Sequence, residues 1–264
     1  MKDCELMKIN LFVNRAELQG ATFSSEEIVV VIDVLRASTT IIQAFKNGCK
    51  SITPVAQVEH ARRLACEWRG SEVLLCGERN EMLIPGFDLS NSPQEFTSEV
   101  VCGKDIIFTS TNGAQLFGIS ANAHHAVVSS FINVGAVADY LCNHNMAVNI
   151  LCAGKHGRFG LEDVVCGGML VAIIQQVKKS EQKLNDGALA AYILYRQFQN
   201  DINAMLHQSS HGRRLVEIGR QDDLVFCAAI NNIPIIPIFK NGKITRLIND
   251  YQKQLHQDPV FSNG

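Results

Sequence analysis

A carboxylate, a guanidinium and several hydroxyls stand close together in Asp33–Thr40, directly after an apolar run. Asp33 offers oxygen ligands for Mg²⁺, and Arg36 can hold two phosphate oxygens at once. Ser38 and Thr39 would stand at the N-terminus of a helix, where free amides and the helix dipole favour an anion. The segment therefore predicts a site for a phosphate and a metal. An Asp33–Arg36 ion pair with Ser38 as a helix cap explains the same residues and stays open at this stage.

The haloacid-dehalogenase phosphatases are disfavoured by one position in this segment. Those enzymes also place an Asp at the end of a strand, but they need a second Asp two residues later. Leu35 occupies that position here.

Further polar segments follow other predicted strands. In doubly wound folds, ligands bind just beyond the carboxyl ends of the parallel strands, so we expect these segments to face one cleft. Each segment also has a simpler interpretation, as a surface ion pair, an ordinary turn or acids that balance a helix dipole. The segments supply these candidates: Glu78 and Arg79; Asp88 and Asn91; Thr111, Asn112 and Gly113; Lys155, His156, Arg158, Glu162 and Asp163.

A thiol mechanism is the alternative that the spacing of Cys152 and Arg158 raises. Cysteine phosphatases have the spacing Cys-x5-Arg, with a thiolate that attacks phosphorus from an anion-binding loop. Those enzymes usually place Ser or Thr after the Arg, and this chain has Phe159. The spacing is also a loose signature in a chain with nine cysteines.

Cations also cluster at the start of a late predicted helix. His211, Arg213 and Arg214 fall in its first turn, where a positive charge opposes the helix dipole by up to ~1 kcal/mol. A bound anion would reverse the sign of that interaction. A solvated basic surface is the simpler interpretation.

Apolar β-branched runs alternate with helical patterns along the chain, which predicts an α/β fold with a largely parallel sheet. Ser92–Glu95 has the residues that open a helix, Asn241–Gly242 indicates a tight hairpin, and residues 161–177 indicate a central buried helix. The polar final dozen residues are expected to fray. The predicted strands are residues 28–33, 51–55, 73–76, 105–109, 126–129 and 147–152, and further predicted helices are residues 38–47, 58–68, 186–198, 210–218 and 222–230.

Composition limits the kind of protein. The 264 residues have a net charge of −2 and 47% apolar residues, which favours a globular protein without nucleic-acid or membrane partners. The chain begins with charged residues where a signal peptide needs apolar ones, and the nine cysteines form no Cys-x-x-Cys pair. We expect a cytoplasmic protein with reduced thiols. We treat residues 1–264 as one domain, with lobes expected at 1–145 and 146–264; homo-oligomerisation stays open.

Taken in order, the motifs resemble those of the 2-phosphosulfolactate phosphatase (ComB) family over most of the chain. The resemblance implies a three-layer α/β/α fold of the family's own type. It also implies Mg²⁺-dependent hydrolysis of 2-phospho-3-sulfolactate to sulfolactate and phosphate, a step in coenzyme M biosynthesis. The matching segments are residues 33–36, 77–79, 86–93, 111–113, 161–163, 210–213 and 222–223 together with Cys227.

The resemblance does not assign the metal ligands, so the roles below follow from residue chemistry and strand-end position. The substrate could also be another phosphorylated hydroxy acid, and a thiol phosphatase and a non-catalytic anion-binding protein stay as alternatives. In this hypothesis Mg²⁺ is held by Asp33, Glu78 and Asp163, and the phosphate is bound by Arg36, Ser38 and Thr39. The proton donor is His156 or His211. The substrate's other groups are bound by Arg79, Thr111, Asn112, Gly113, Lys155, Arg158 and Arg213.

Overall fold

A computed structural model describes residues 6–68, 72–179 and 182–247 of the chain. The charged start of the chain and the final residues that were predicted to fray lie outside these ranges. Within them, all strands form one mixed sheet in the order β5-β4-β6-β3-β11-β10-β7-β2-β8-β1-β9. The strands are β1 (Lys8–Phe12), β2 (Glu27–Ile32), β3 (Ser51–Pro54), β4 (Val73–Arg79), β5 (Met82–Leu83), β6 (Asp105–Thr109), β7 (His125–Ser129), β8 (Ala147–Cys152), β9 (Lys183–Leu184), β10 (Pro237–Lys240) and β11 (Lys243–Arg246).

Two blocks of parallel strands make up most of the sheet. β4, β6 and β3 form one block, and β7, β2, β8, β1 and β9 form the other. The antiparallel hairpin of β10 and β11 joins them, with the predicted turn at Asn241 and Gly242. Three successive antiparallel pairings therefore separate the blocks, so the strands of one block run against those of the other.

The twist of the sheet explains how the two blocks can still share one site. Neighbouring strands rotate by about 20–25°, so the five steps from β6 to β2 accumulate roughly 100–125°. Because of this twist, the strands of the two blocks cross at a steep angle and do not run simply antiparallel to each other. The loop after β6 meets the loop after β2: an ideal Cβ on Gly113 would lie 2.6 Å from Oδ2 of Asp33.

Helices cover both faces of the sheet, which confirms the predicted three-layer α/β/α fold. Along β2, Ile28, Val30 and Ile32 pack in one buried cluster, while Val29 and Val31 pack in another. This alternation follows from the period of two in a strand. The helices are α1 (Ala37–Lys46), α2 (Val58–Glu67), α3 (Ser98–Val101), α4 (Ala114–Ile119), α5 (Val134–His144), α6 (Leu161–Lys178), α7 (Asp186–Phe198), α8 (Ile202–Gln208), α9 (Ser210–Glu217) and α10 (Gln221–Ala228).

The central helix is α6, as the sequence predicted. It packs between α5 and α7 and is apolar on nearly all sides, with residues 162–171 buried. An all-round apolar helix is stable only where neighbours cover every face. The buried start of α6 brings Glu162 and Asp163 below the ends of β2 and β8.

One predicted helix start is wrong in detail. Pro93–Glu95 forms only a single 3₁₀ turn, and the Ser92 side chain does not cap it. Its hydroxyl donates to Asp223 at 2.6 Å instead. A tertiary partner has replaced the local capping interaction that residue types alone suggested.

The strands of the two expected lobes lie in one sheet, where β1 from residues 1–145 pairs with β8 from residues 146–264. The division at residue 145 stays a prediction.

The eight cysteines in the described ranges are free, and six are buried. None of the helices among these residues is long and apolar enough to cross a membrane. A cytoplasmic location stays a prediction.

Candidate active site

A cleft opens where the loops after β2, β4, β6 and β8 meet the start of α9. Its position agrees with the expectation that ligands bind beyond strand ends. Eight of the candidate residues that the sequence offered line the cleft, and the others are outside its lining. The cleft is lined by Asp33, Leu35, Arg36, Glu78, Asn80, Glu81, Asn91, Thr111, Asn112, His156 and His211.

Asp33 forms the floor of the cleft and is 6% exposed. Its Oδ1 accepts a hydrogen bond from the amide of Ala37 at 3.3 Å, at the start of α1. Burial raises the pKa of Asp33 to about 6, and the charge of Glu78 adds to the rise while His211 opposes it. A carboxyl group that titrates near neutral pH in a cleft is typical of a functional site.

Arg36 is fully buried and paired with a carboxylate from the far end of the chain. Its Nη1 lies 2.7 Å from Oδ2 of Asp223, and both side chains are 1% exposed. Its Nη2 donates to the carbonyl of Glu81 at 3.1 Å. A guanidinium has five N–H donors, so these contacts leave donor capacity for an anion in the cleft. The sequence suggested a partner at Asp33; the structure corrects this to Asp223.

The hydroxyls of Ser38 and Thr39 are turned into the protein. Ser38 accepts from the amide of Asp33 at 2.9 Å, and Thr39 donates to the carbonyl of Val34 at 2.8 Å. Neither side chain lines the cleft, and both are at most 1% exposed. They hold the Asp33–Arg36 loop in shape. A contact between these two hydroxyls and phosphate stays a prediction, and their hydrogen bonds within the protein do not support it.

Glu78 lines the cleft but uses both carboxylate oxygens to hold neighbouring loops. Oε1 accepts from the amide of Thr111 at 2.7 Å, and Oε2 accepts from the amide of Glu81 at 2.8 Å. Gly113 does not line the cleft. Its small size instead lets the loop after β6 approach Asp33, because a side chain there would collide with the carboxylate.

Asp163 lies beneath the cleft and also spends both oxygens on main-chain amides. Oδ1 accepts from Val34 at 2.8 Å and Oδ2 from Gly154 at 2.9 Å, which ties β2 to β8. Burial and the neighbouring charges of Glu162 and Asp33 raise the pKa of Asp163 well above its ordinary value. This environment suits a structural carboxyl group. Its predicted role as a metal ligand stays untested.

His211 is oriented by a buried acid. Its Nδ1 lies 3.2 Å from Oε1 of Glu162, and the ring lines the cleft. Burial raises the pKa of Glu162, but His211, the Glu162 main chain and Ser209 together outweigh burial and hold that pKa below the ordinary value. A carboxylate that fixes one ring nitrogen directs the other towards a substrate, as in other acid–base histidines.

Glu81 is a cleft residue that sequence reasoning missed. Oε1 lies 2.9 Å from Nζ of Lys155 and 3.9 Å from Nε2 of His211. Partial burial raises the pKa of Glu81, but Lys155, His211 and Arg214 together outweigh burial and hold the pKa below its ordinary value. No motif signal marked the residue, because its importance depends on loops distant in sequence.

The remaining predicted residues vary in position. His156 lines the cleft and is exposed, with its amide donating to Oδ1 of Asn112 at 3.1 Å. Arg79 is outside the lining, and donates to the carbonyls of Glu78 and Ala56 and to Thr109. A second, open pocket is lined by Lys155, His156, Arg158, Phe159 and Ser210. Arg213 is exposed and bonds to the carbonyl of Gln208.

Oxygen ligands for a hard cation are present in the cleft. Oδ1 of Asn91 and Oγ1 of Thr111 are buried without a hydrogen-bond partner, and both residues line the cleft with Asp33. Orphaned buried oxygens are costly unless a ligand satisfies them. The described residues contain no group of three or more His, Cys, Asp or Glu placed to hold a metal. Mg²⁺ needs no such cage, because it usually takes one or two carboxylates, waters and substrate phosphate.

Cys152 is not a nucleophile in this arrangement. The residue is 0% exposed within a hydrophobic cluster and does not line the cleft. Burial raises the pKa of its thiol well above the ordinary value, and Asp163 adds to the rise. A thiol phosphatase needs an accessible thiolate. The alternative based on Cys152 and Arg158 is therefore wrong.

The family model described as 2-phosphosulpholactate phosphatase matches residues 14–242. The chain belongs to this family. The family resemblance predicted from the sequence is thus confirmed, and with it the assignment to the phosphoric monoester hydrolases.

Three similar family members show how far the likeness extends. A protein of Symbiobacterium thermophilum is 40% identical over 83% of this chain and 94% of its own length. One of Caldanaerobacter subterraneus subsp. tengcongensis is 40% identical over 86% and 92%, respectively. One of Clostridium acetobutylicum is 35% identical over 90% and 100%. Each is named a probable 2-phosphosulfolactate phosphatase.

The raised pKa of Asp33 predicts a cost in stability. The folded chain holds this proton more tightly than the unfolded chain, whose carboxyl titrates near its ordinary value of 3.8. Stability is therefore lost as pH rises from 3.8 towards 6. We expect Asp33→Asn to be more stable than wild type by roughly 1–3 kcal/mol at pH 8, with the difference shrinking towards pH 4.

Urea denaturation in EDTA-containing buffer from pH 4 to pH 8 measures this difference. Asp139→Asn, which changes an exposed aspartate of α5, is the matched control and should show no such trend. A less stable Asp33→Asn protein at pH 8 would contradict the account.

Proposed function

We propose that this chain hydrolyses 2-phospho-3-sulfolactate, or a similar phosphorylated hydroxy acid, to the hydroxy acid and phosphate in a reaction that depends on Mg²⁺. The observation that carries the proposal is the grouping of Asp33 with the partnerless oxygens of Asn91 and Thr111 in one cleft. Family membership and the names of its relatives support the same reaction. A role in coenzyme M biosynthesis stays a prediction.

Asp33 is the residue best placed to hold Mg²⁺, with Asn91 and Thr111 as neutral oxygen ligands. Glu78 and Asp163 are the weaker members of the predicted ligand set, since amides occupy their oxygens. When bound, Mg²⁺ would supply polarisation of the phosphoryl group and a lower pKa for an attacking water.

Arg36 would orient the phosphoryl group. Its pairing with Asp223 fixes the guanidinium plane, and its further donors can bind phosphoryl oxygens in the cleft. In a buried site these hydrogen bonds are stronger than in water, so they stabilise charge that develops during transfer.

His211 would donate a proton to the leaving alkoxide. Glu162 holds Nδ1, so Nε2 faces the cleft. An alkoxide is a poor leaving group, so it needs a proton as it departs. Protonation by a positioned acid typically raises the reaction rate by about 10²–10⁴-fold. His156 is the alternative donor, although its ring is exposed.

Phosphate release from 2-phospho-3-sulfolactate, 2-phospholactate and 2-phosphoglycerate tests the proposed activity. We expect release with Mg²⁺, loss of release in EDTA and recovery when Mg²⁺ is restored. Cys152→Ala should keep activity within about threefold, since the thiol takes no part, whereas Asp33→Asn should lose about 100-fold or more. Activity that survives EDTA would exclude the Mg²⁺ mechanism. Binding without release from any ester would favour a non-catalytic anion-binding protein.

A comparison of leaving groups tests the proton donor. His211→Asn should lower kcat for an alkyl phosphate by about 100-fold. The same change should cost far less for p-nitrophenyl phosphate, whose leaving group needs no proton. If His156→Asn has this leaving-group dependence and His211→Asn lacks it, the assignment of the donor is wrong.

A further inference from the structure

The turn between β4 and β5 holds Glu81 in an unusual backbone conformation. Asn80 and Glu81 have φ angles of 54° and 64°, in the left-handed region. Asn adopts this region often, but Glu rarely does, and such residues cluster at functional sites. The main chain of Glu81 is fixed on both sides, because its amide donates to Glu78 and its carbonyl accepts from Arg36.

Two cationic side chains and the ring of His211 converge on the Glu81 carboxylate at the cleft. Oε1 lies 2.9 Å from Nζ of Lys155 and 3.9 Å from Nε2 of His211, and Oε2 lies 3.9 Å from Nε of Arg214. The Glu81 side chain is 12% exposed, and that of Lys155 is 19% exposed. The Glu81–Lys155 pair is close and partly buried, so it is screened less than a surface pair, whereas Arg214 is 45% exposed and lies further away.

The cations at and beside the cleft divide into two sets. Arg36 already has a carboxylate partner in Asp223, outside the lining, and faces the phosphoryl position beside Asp33. Lys155 and Arg214 lie outside the lining and contact the Glu81 carboxylate, which lines the cleft; Arg214 also contacts Glu217 at 3.2 Å. The proposed substrates carry a second anionic group close to their phosphate, and that group needs cations of its own.

We propose that Glu81 is a resident counter-anion that occupies the site for the substrate's second anionic group and is displaced by it. This inference rests on the proposed function and deepens it. Glu81 keeps Lys155 and Arg214 in place in the free enzyme. A carboxylate or sulfonate two or three atoms from the phosphate then replaces the Glu81 carboxylate, which needs only side-chain rotation because the main chain stays bonded.

Displacement makes Glu81 a determinant of specificity. A phosphate ester without a second anion leaves the Glu81 contacts intact and gains nothing from Lys155 and Arg214. An ester with a second anion gains those cations, less the cost of displacing the resident carboxylate. Removal of the Glu81 charge should thus strengthen the binding of doubly anionic ligands only.

Isothermal titration with two phosphonates tests this inference without turnover. Phosphonoacetate carries a phosphonate and a carboxylate, whereas methylphosphonate carries the phosphonate alone. In Mg²⁺ buffer we expect Glu81→Gln to lower the Kd of phosphonoacetate by roughly three- to tenfold. The Kd of methylphosphonate should change less than twofold.

Glu217→Gln is the matched control. It removes a carboxylate 3.2 Å from the same Arg214, but its side chain is 64% exposed and outside the cleft. We expect both Kd values to stay within twofold of wild type. Should Glu81→Gln fail to fold, Lys155→Met gives a second arm, with weaker phosphonoacetate binding and unchanged methylphosphonate binding.

Two outcomes overturn the inference: phosphonoacetate that binds Glu81→Gln no better than wild type, and equal gains for both ligands. The first outcome would show that Glu81 only holds its neighbours in place. The second would show that its charge repels every anionic ligand to the same extent. Failure of the proposed function is a separate result, since it would show as absent phosphate release by wild-type enzyme.

Discussion

A guanidinium can stay buried in a protein only if a carboxylate and hydrogen-bond acceptors surround it, because removal of either charge leaves the other unpaired. Arg36 meets this condition through Asp223, a residue 187 positions away, and through the carbonyl of Glu81. The pair thus joins the loop after β2, the β4–β5 turn and α10. Loss of one partner of such a pair typically costs about 3–5 kcal/mol, so the cleft cannot open widely without a large penalty.

Buried acids perform two different tasks around this pair. Glu78 and Asp163 accept main-chain amides with both oxygens and tie the loops together. Asp33 accepts a single long hydrogen bond, from the amide of Ala37, which leaves its carboxylate available for chemistry. The distinction follows from hydrogen bonding, since acids of similar burial differ in how many donors reach them.

Much of this arrangement could be predicted from the sequence. Apolar periodicity predicted β2, β8 and α6, and the positions of Asp33, Thr111 and His156 after predicted strands predicted their convergence. The direction of the β10–β11 hairpin, and hence the opposition of the two parallel blocks, depends on pairing between distant strands that no local pattern encodes. Glu81 and the partner of Arg36 were missed for the same reason. Ser38 and Thr39 have the residue types of an anion site but satisfy local main-chain groups, which a sequence does not distinguish.

The central claim is that metal and phosphate meet at Asp33, and crystals grown with Mn²⁺ in place of Mg²⁺ and with tungstate in place of phosphate test it most directly. We expect an anomalous Mn²⁺ peak about 2.0–2.3 Å from an Asp33 carboxylate oxygen. Tungstate should lie beside it, within hydrogen-bond distance of Arg36. A metal bound at Asp163 with Asp33 uninvolved, or tungstate bound away from Arg36, would contradict the account.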